Sequence, residues 1–550
     1  MRKKTPPRRA PLPFEVRNLN HRAPVTRREF LGRGMLATSG VVIGAGSLLS
    51  MLARPRRAFG QTPPPSLDPD ILALVNGSTA SGGCNIHAGA GKVPFIAFDL
   101  GGGGNIAGSN ALVGGMGGQL DFLTTAGYNK LGVPGSMIPG SGGANSFVDQ
   151  SLGLAMHSDS AYLRGIQSIA AATTLGGVNG AVIPAISQTD TDLNPHNPMY
   201  GINSAGGAAG ALVVLIGTEA TVSGGNSMAP SYMINQSVLP TVVTRPSDVT
   251  GLVSTGQLVA SGALDQTAAV DVLESAVRIS NMKLAQVGAT GNPALDPSVQ
   301  TGVQCSYVDA AYLVDQYGNA SATLDPTQDS LIVGTDGSGG IFTTAQMQDS
   351  DFLATASVMK MVIDGYAGAG TIEMGGYDYH DSTRATGETR DFKAGQCIGA
   401  CLQYAALRGV PLMIYVFSDG SLASSGMIDT SMAGRDKGVW TADNTATAAS
   451  LMLVYDPNGR PTALQNQIGS YNSDGTVNAT GSIAANAVNL LAETVVLNYM
   501  ALHGQATNFE SVVWSGGVPQ GLGSADNYKS LIAFTQLASV SGPGGTVPGL

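Results

Sequence analysis

The chain has 550 residues, enough for one large domain or two to three ordinary ones. Charged residues make up 12% of it, about half the usual ~25%, while glycine, at 75 residues, is roughly twice its ordinary share. Residues 1–60 hold 13 of the 28 Lys/Arg and 2 of the 38 Asp/Glu, so residues 61–550 carry a net charge near −21, which excludes nucleic acid and anionic membrane as principal partners.

The N-terminus reads as an export signal. A long basic segment leads to Thr26-Arg27-Arg28-Glu29-Phe30-Leu31, then to the soft apolar run LATSGVVIGAGSLLSML (36–52), then to Arg54, Arg56 and Arg57. A paired Arg, a moderately apolar h-region and positive charge beyond it fit a twin-arginine signal, with cleavage expected near Gly60–Gln61. The translocase of that pathway is then a partner during export, and the destination is periplasmic or extracellular. The competing reading is a retained membrane anchor; 17 residues interrupted by Gly and Ser fall short of the ~20 that a spanning helix needs.

Residues 61–90 read as a linker and N-terminal segment, 91–540 as one α/β domain and 541–550 as a tail. Within the domain VPFIAFDL (93–100) is an apolar strand feeding GGGGN (101–105). The stretch 101–260 is so rich in Gly and Ser that insertions or a cap are expected there, interrupted by a strand at 211–217. Helical periodicity and strong helix formers mark 265–287, and 350–364 also reads as a helix. A strand at 371–374 then precedes the loop GGYDYHDS (375–382). A helix over 391–408, with Asp391 as its cap and Gly409 closing it, leads to the strand PLMIYVF (411–417) and Ser418-Asp419-Gly420. Strand 447–455 and a helix near 484–503 complete the α/β pattern. Cys397 and Cys401 lie four apart in a helix, where bridging is disfavoured, which leaves Cys84–Cys305 as an open pairing.

Two polar clusters therefore fall just past the carboxyl ends of strands, the edge where α/β sheets bind ligands. Carboxylate oxygen and imidazole nitrogen suit divalent ions, so Asp378, His380, Asp419 and Asp436 are candidate metal ligands, with Asp381 beside them. The plainer alternative is a solvated loop. Of the other histidines, His87 and His157 are isolated, His196 sits in the turn-like NPHNPMYG, and His503 near a helix end is explained by the dipole. Gly102-x-Gly104-x-x-Ala107 with Asp121 formally fits a dinucleotide fingerprint, but the Gly-rich sequence after it makes a poor helix. No Gly-x-Ser-x-Gly elbow is present.

The signal, the GGYDYH loop, the YVFSDG strand end and GRDKGVW (434–440) together resemble the twin-arginine-exported, sulfatase-like proteins of unknown function in the alkaline phosphatase superfamily. In that family the loop reads Gly-Gly-x-Asp-Thr-His, the strand end Ser-Glu-Phe-Gly-Arg and the last motif Gly-Thr-Asp-His-Gly. The resemblance implies an alkaline-phosphatase-like, mostly parallel sheet with helices on both faces. It implies a metal-dependent hydrolase of phosphate or sulfate esters, taking zinc, manganese or calcium. Asp378 and His380 match the family's metal pair, Asp419 stands where an acid is expected, and Asp436 matches the last motif. Three positions depart from the pattern. Lys437 occupies the place of a His, Asn105 that of an early Asp with Asp99 nearby, and Gly420-Ser421-Leu422 replaces Phe-Gly-Arg. Protonated Lys offers no lone pair and repels a dication, so Lys437 would fill a metal position with an internal cation. Ser418 and Ser109 are the nucleophile candidates, and Lys437 an electrostatic contributor. The rival expectation is a non-catalytic envelope or surface protein, with an envelope partner in place of a small-molecule ester.

Overall fold

Phe95–Leu100 (β1) is buried along its whole length, as a strand flanked on both edges and both faces must be. The computed structural model in which it sits describes residues 67–76, 84, 91–143, 146–187, 194–207, 210–253, 265–284, 296–318, 323–334, 339–513, 521–542 and 545–547. The export signal, its apolar run and His87 lie outside these residues. Among the described residues no helix is long and apolar enough to cross a membrane.

Apart from a short antiparallel pair, Val148–Asp149 with Met156–His157, the other strands are Val178–Pro184 (β2), Val213–Gly217 (β3), Thr241–Val242 (β4), Ala367–Met374 (β5), Leu412–Ser418 (β6), Leu422–Asp429 (β7), Lys437–Asp443 (β8) and Ala449–Tyr455 (β9). Seven of them form one sheet in the order β2-β9-β6-β1-β5-β3-β4. β1 runs parallel to β5 and β6, and β3 parallel to β5 and β4. β9 is antiparallel to both neighbours, β2 and β6. The fold is thus α/β around a mostly parallel sheet. β7 and β8 leave it as a separate antiparallel hairpin.

Alternate residues of β1 enter different cores, as strand geometry requires. Ile96, Phe98 and Leu100 pack with Val358 and Met359 of helix Ser350–Ile363 (α5) and with Cys397 and Ile398 of helix Ala385–Arg408 (α6). Phe95 and Ala97 face Val495 and Tyr499 of helix Val488–Leu502 (α7) on the other side. Each such side chain, fully buried, contributes roughly 1.5–3 kcal/mol. With Ala161–Ile169 as α2, a third, smaller core joins Pro69–Asn76 (α1), Gln266–Leu284 (α3) and Asp296–Tyr317 (α4) through Ile71, Val75, Val270, Val277 and Val308. A Cys84–Cys305 disulfide ties it together, while Cys397 and Cys401 stay reduced and buried.

Two differences from the sequence reading affect the site. The region 101–260 contributes β2, β3 and β4 to the sheet, so much of it is frame. VNGAVIP carries Asn, Gly and Pro, poor strand formers, but β2 is an edge strand of the sheet beside β9, with a single bridge from Val182 to Gln467 on its outer side, and its Pro184 lies at the strand end. Secondly, α6 begins at Ala385, which places Asp391 inside the helix and not at its cap. Its other end behaves as expected: Gly409 adopts φ 67, and its N–H and that of Val410 satisfy the last carbonyls.

Candidate metal centre

The loops after β1 and β5 are stitched together. Gly101 N donates to Met374 O (3.0 Å) and Tyr377 N to Gly101 O (3.0 Å). Gly102, at φ 121, has no room for a side chain: a Cβ there would lie 2.4 Å from the backbone nitrogen of Asp378. The Gly-rich run after β1 therefore serves close backbone approach, and it brings the Asp378 segment onto the carboxyl end of the central strand.

In the extended Tyr377–His380 segment successive side chains point to opposite sides. Tyr377 and Tyr379 are 1% and 2% exposed, whereas the side chains of Asp378 and His380 are 57% and 38% exposed. His380 Nε2 lies 2.8 Å from Asp378 Oδ1 and 3.5 Å from Oδ2 of Asp443, at the end of β8. One donor atom from each of the three residues lies within 4.8 Å of the other two.

Asp443 reaches this point because β8 is pinned to the site loop. Ser382 N donates to Trp440 O (3.0 Å) and Trp440 N to Thr383 O (3.1 Å). Three residues further on, the chain ends β8 beside His380. The sequence reading placed its last ligand at Asp436, one strand earlier. The signal it passed over was the same one it used elsewhere, an acid at a strand end.

The remaining candidates are engaged otherwise. Asp419 is buried: its Oδ1 accepts from Gly102 N (2.9 Å), its Oδ2 from Asn226 Nδ2 (3.3 Å), and its carbonyl from Asn194 Nδ2 (2.5 Å). It supports the glycine loop and does not join the trio. Asp436 lies at the other end of β8, in an open cleft with Asp159, Ser431 and Arg435. Ser418 Oγ accepts from Gly104 N (2.8 Å) and lies 2.7 Å from Leu100 O and 2.9 Å from Gly102 O, so it locks a loop. Ser109 Oγ donates to Asn105 Oδ1 (2.7 Å) and accepts from Arg384 Nη2 (2.8 Å). Asp381 caps a turn through Thr383 N (3.1 Å).

Lys437 is 1% exposed and has three acceptors: Asp159 O (2.5 Å), Glu388 Oε1 (2.8 Å) and Asp159 Oδ2 (3.3 Å). Burial pulls its pKa down, with the nearby Arg384 adding to the effect. Burial pushes the Glu388 carboxyl up, but Arg384 and Lys437 outweigh it and hold the group below its ordinary range. Arg384 spans Glu388 (2.9 Å) and the face of Trp440 (4.5 Å), and Arg164 reaches Glu388 at 2.5 Å. Lys437 is thus an internal cation among carboxylates, within a network that anchors β8 to α6.

Can the trio hold a metal? Two carboxylates and one imidazole form a donor set of the zinc or manganese type; calcium prefers oxygen throughout. With metal–ligand bonds of about 2.0–2.2 Å, donors of a tetrahedral site stand roughly 3.3–3.5 Å apart. His380 Nε2 stands 2.8 Å from Asp378 Oδ1, nearer than two ligands of one ion would sit, and 3.5 Å from Asp443 Oδ2, with all three donors within 4.8 Å, so the set has the size of a one-ion site once the His380–Asp378 contact opens. Three protein donors at an exposed edge leave a coordination position open to solvent. No family model, curated protein or solved structure matches the chain.

Proposed function

We propose that the protein binds one divalent cation, zinc or manganese, through Asp378, His380 and Asp443, and hydrolyses a phosphate or sulfate ester outside the cytoplasm. The observation that carries this reading is the convergence of those three side chains at the carboxyl edge of the sheet. Bound there, the ion would supply Lewis-acid polarisation and activation of water. The chain's own residues supply a net charge of −2 when His380 is neutral, an open face for substrate, and a rigid floor made by Gly102 and Asp419. In this reading the frame is an alkaline-phosphatase-like sheet with one metal position. Lys437, at the far end of β8 beside Glu388 and Asp159, is too distant from the trio to take the place of a second ion, which in two-metal sites stands about 4 Å from the first. The attacking group is water, because Ser418 and Ser109 are committed to hydrogen bonds within the fold. Export by the twin-arginine translocase to the periplasm or beyond agrees with the signal-like N-terminus and with the Cys84–Cys305 bridge.

One observation favours a second reading, a non-catalytic envelope protein. Lys437, Ser418, Ser109 and Asn105 all have structural partners, and no activated serine stands beside the trio among the described residues. Metal analysis of protein purified without chelators, followed by a panel of aryl phosphates, phosphodiesters and sulfates, separates the two. One equivalent of zinc or manganese, lost in His380→Ala and in Asp443→Asn together with ester turnover, supports the hydrolase. Bound metal without turnover favours the envelope role, and absence of metal refutes the cation site.

A further inference from the structure

The inward half of the Tyr-Asp-Tyr-His alternation has its own set of partners. Tyr377 OH donates to Arg390 O (2.9 Å). Tyr379 OH donates to Asp391 Oδ1 (2.7 Å) and accepts from Asn105 N (2.9 Å). The other oxygen of Asp391 accepts from Asn110 Nδ2 (2.7 Å), whose amide oxygen in turn accepts from Ser160 Oγ (2.9 Å) and Tyr162 N (3.2 Å). One fully buried carboxyl therefore ties together the loop after β1, the start of helix Ala161–Ile169, α6 and the site loop.

Such a carboxyl is costly. Burial pushes Asp391 up to about 7, against the hydrogen bonds from Tyr379 and Asn110 and the more distant charge of Arg384, and among the described residues no cation lies in hydrogen-bonding contact with it. A helix interior does not require an acid there, and an apolar residue would pack at less cost. What the group does provide is a fixed acceptor for the tyrosine between the two exposed ligands.

We propose that Tyr379 and Asp391 are the positioning residues of the cation site, holding the backbone between Asp378 and His380 at the depth from which both side chains reach Asp443. This rests on the cation reading given above. Tyr379 anchors the one peptide segment that the two ligands share, so its hydroxyl sets the height and rotation of both at once. Partners of metal ligands in this role are typically worth 10–100-fold in affinity.

The test uses Tyr379→Phe, which keeps the ring and removes the hydroxyl, with Asp391→Asn as the second variant should the first fail to fold. Cobalt(II) is the probe, read by its visible absorption, alongside amide hydrogen exchange across residues 376–381. The expected result is a Co²⁺ Kd weakened 10–100-fold, with altered absorption bands. Exchange in that loop should accelerate about tenfold or more, as a local opening with far-ultraviolet circular dichroism unchanged. A wild-type Kd and spectrum in the variant would overturn the proposal, whether or not exchange accelerates. If the unmodified protein binds no Co²⁺, the cation reading falls and the positioning role falls with it, whereas Co²⁺ binding that is the same in wild type and variant overturns the positioning role alone.

Discussion

His196 offers the sharpest test of how this interior is built. Its ring lies fully buried, stacked on Phe417 at 5.7 Å, and neither ring nitrogen has a hydrogen-bond partner. Burial pulls its pKa from 6.5 down to about 4. The folded protein therefore resists protonation that the unfolded chain accepts. Stability from this group is complete above pH 6.5 and is lost as pH falls toward 4. At pH 5 the gap corresponds to about 2 kcal/mol, and below pH 4 to about 3 kcal/mol. His196→Leu removes the titrating group at similar volume. At pH 8 the variant should be as stable as the wild type or about 1 kcal/mol more so, since two unpaired polar atoms leave the interior. Between pH 8 and pH 5 it should lose about 2 kcal/mol less than the wild type, measured by urea unfolding at both values. His157 and His503 are also pulled to about 4, but both keep hydrogen bonds and contribute equally in the two proteins, so they cancel in the comparison. Equal losses in variant and wild type would refute the reasoning.

Two further outcomes follow from the anchoring contacts. Lys437→Met should lower unfolding stability by about 3 kcal/mol, because it leaves Glu388 and Asp159 one cation short in a buried network; a urea midpoint equal to wild type would show that the ammonium is dispensable. Replacing Cys84 and Cys305 by Ser opens a link across 221 positions, for which chain-entropy arguments allow a loss of about 2–5 kcal/mol. Differential scanning calorimetry should show a lowered transition, reproduced in the wild type by reductant, and an unchanged transition would contradict a structural role for the bridge.

Strong local signals carried much of the fold into the sequence. The strands at 95–100, 412–418 and 449–455 are largely apolar runs, the helix at 266–284 has helical spacing and good helix formers, and those at 350–363 and 488–502 are apolar stretches too long for strands, buried on nearly every side. β2 was hidden because Asn179, Gly180 and Pro184 are tolerable only on an edge strand, a fact about neighbours and not about local preference. Asp378 and His380 were legible because they adjoin a strand end in one loop. Asp443 was not, since its approach depends on β8 pairing with the site loop through Trp440, 60 residues from His380 only in sequence terms. Asp391 misled for a related reason: a polar residue ahead of an apolar helix resembles a cap, and only the tertiary partners Tyr379 and Asn110 give it a different task.

The strand Lys437–Asp443 has a mechanical consequence. Its first residue is clamped between Asp159 and Glu388, its last stands beside His380, and the span between them is roughly 20 Å at an extended rise of about 3.3 Å per residue. The strand is held at a third point between them, where Trp440 exchanges backbone hydrogen bonds with Ser382 and Thr383, and its pairing is irregular on either side of that residue. The middle hold shields the far carboxylate from the clamped end. Variation around Asp159 or Arg164 should therefore leave the pocket as it is, while variation around Trp440 retunes it without any substitution in the pocket itself.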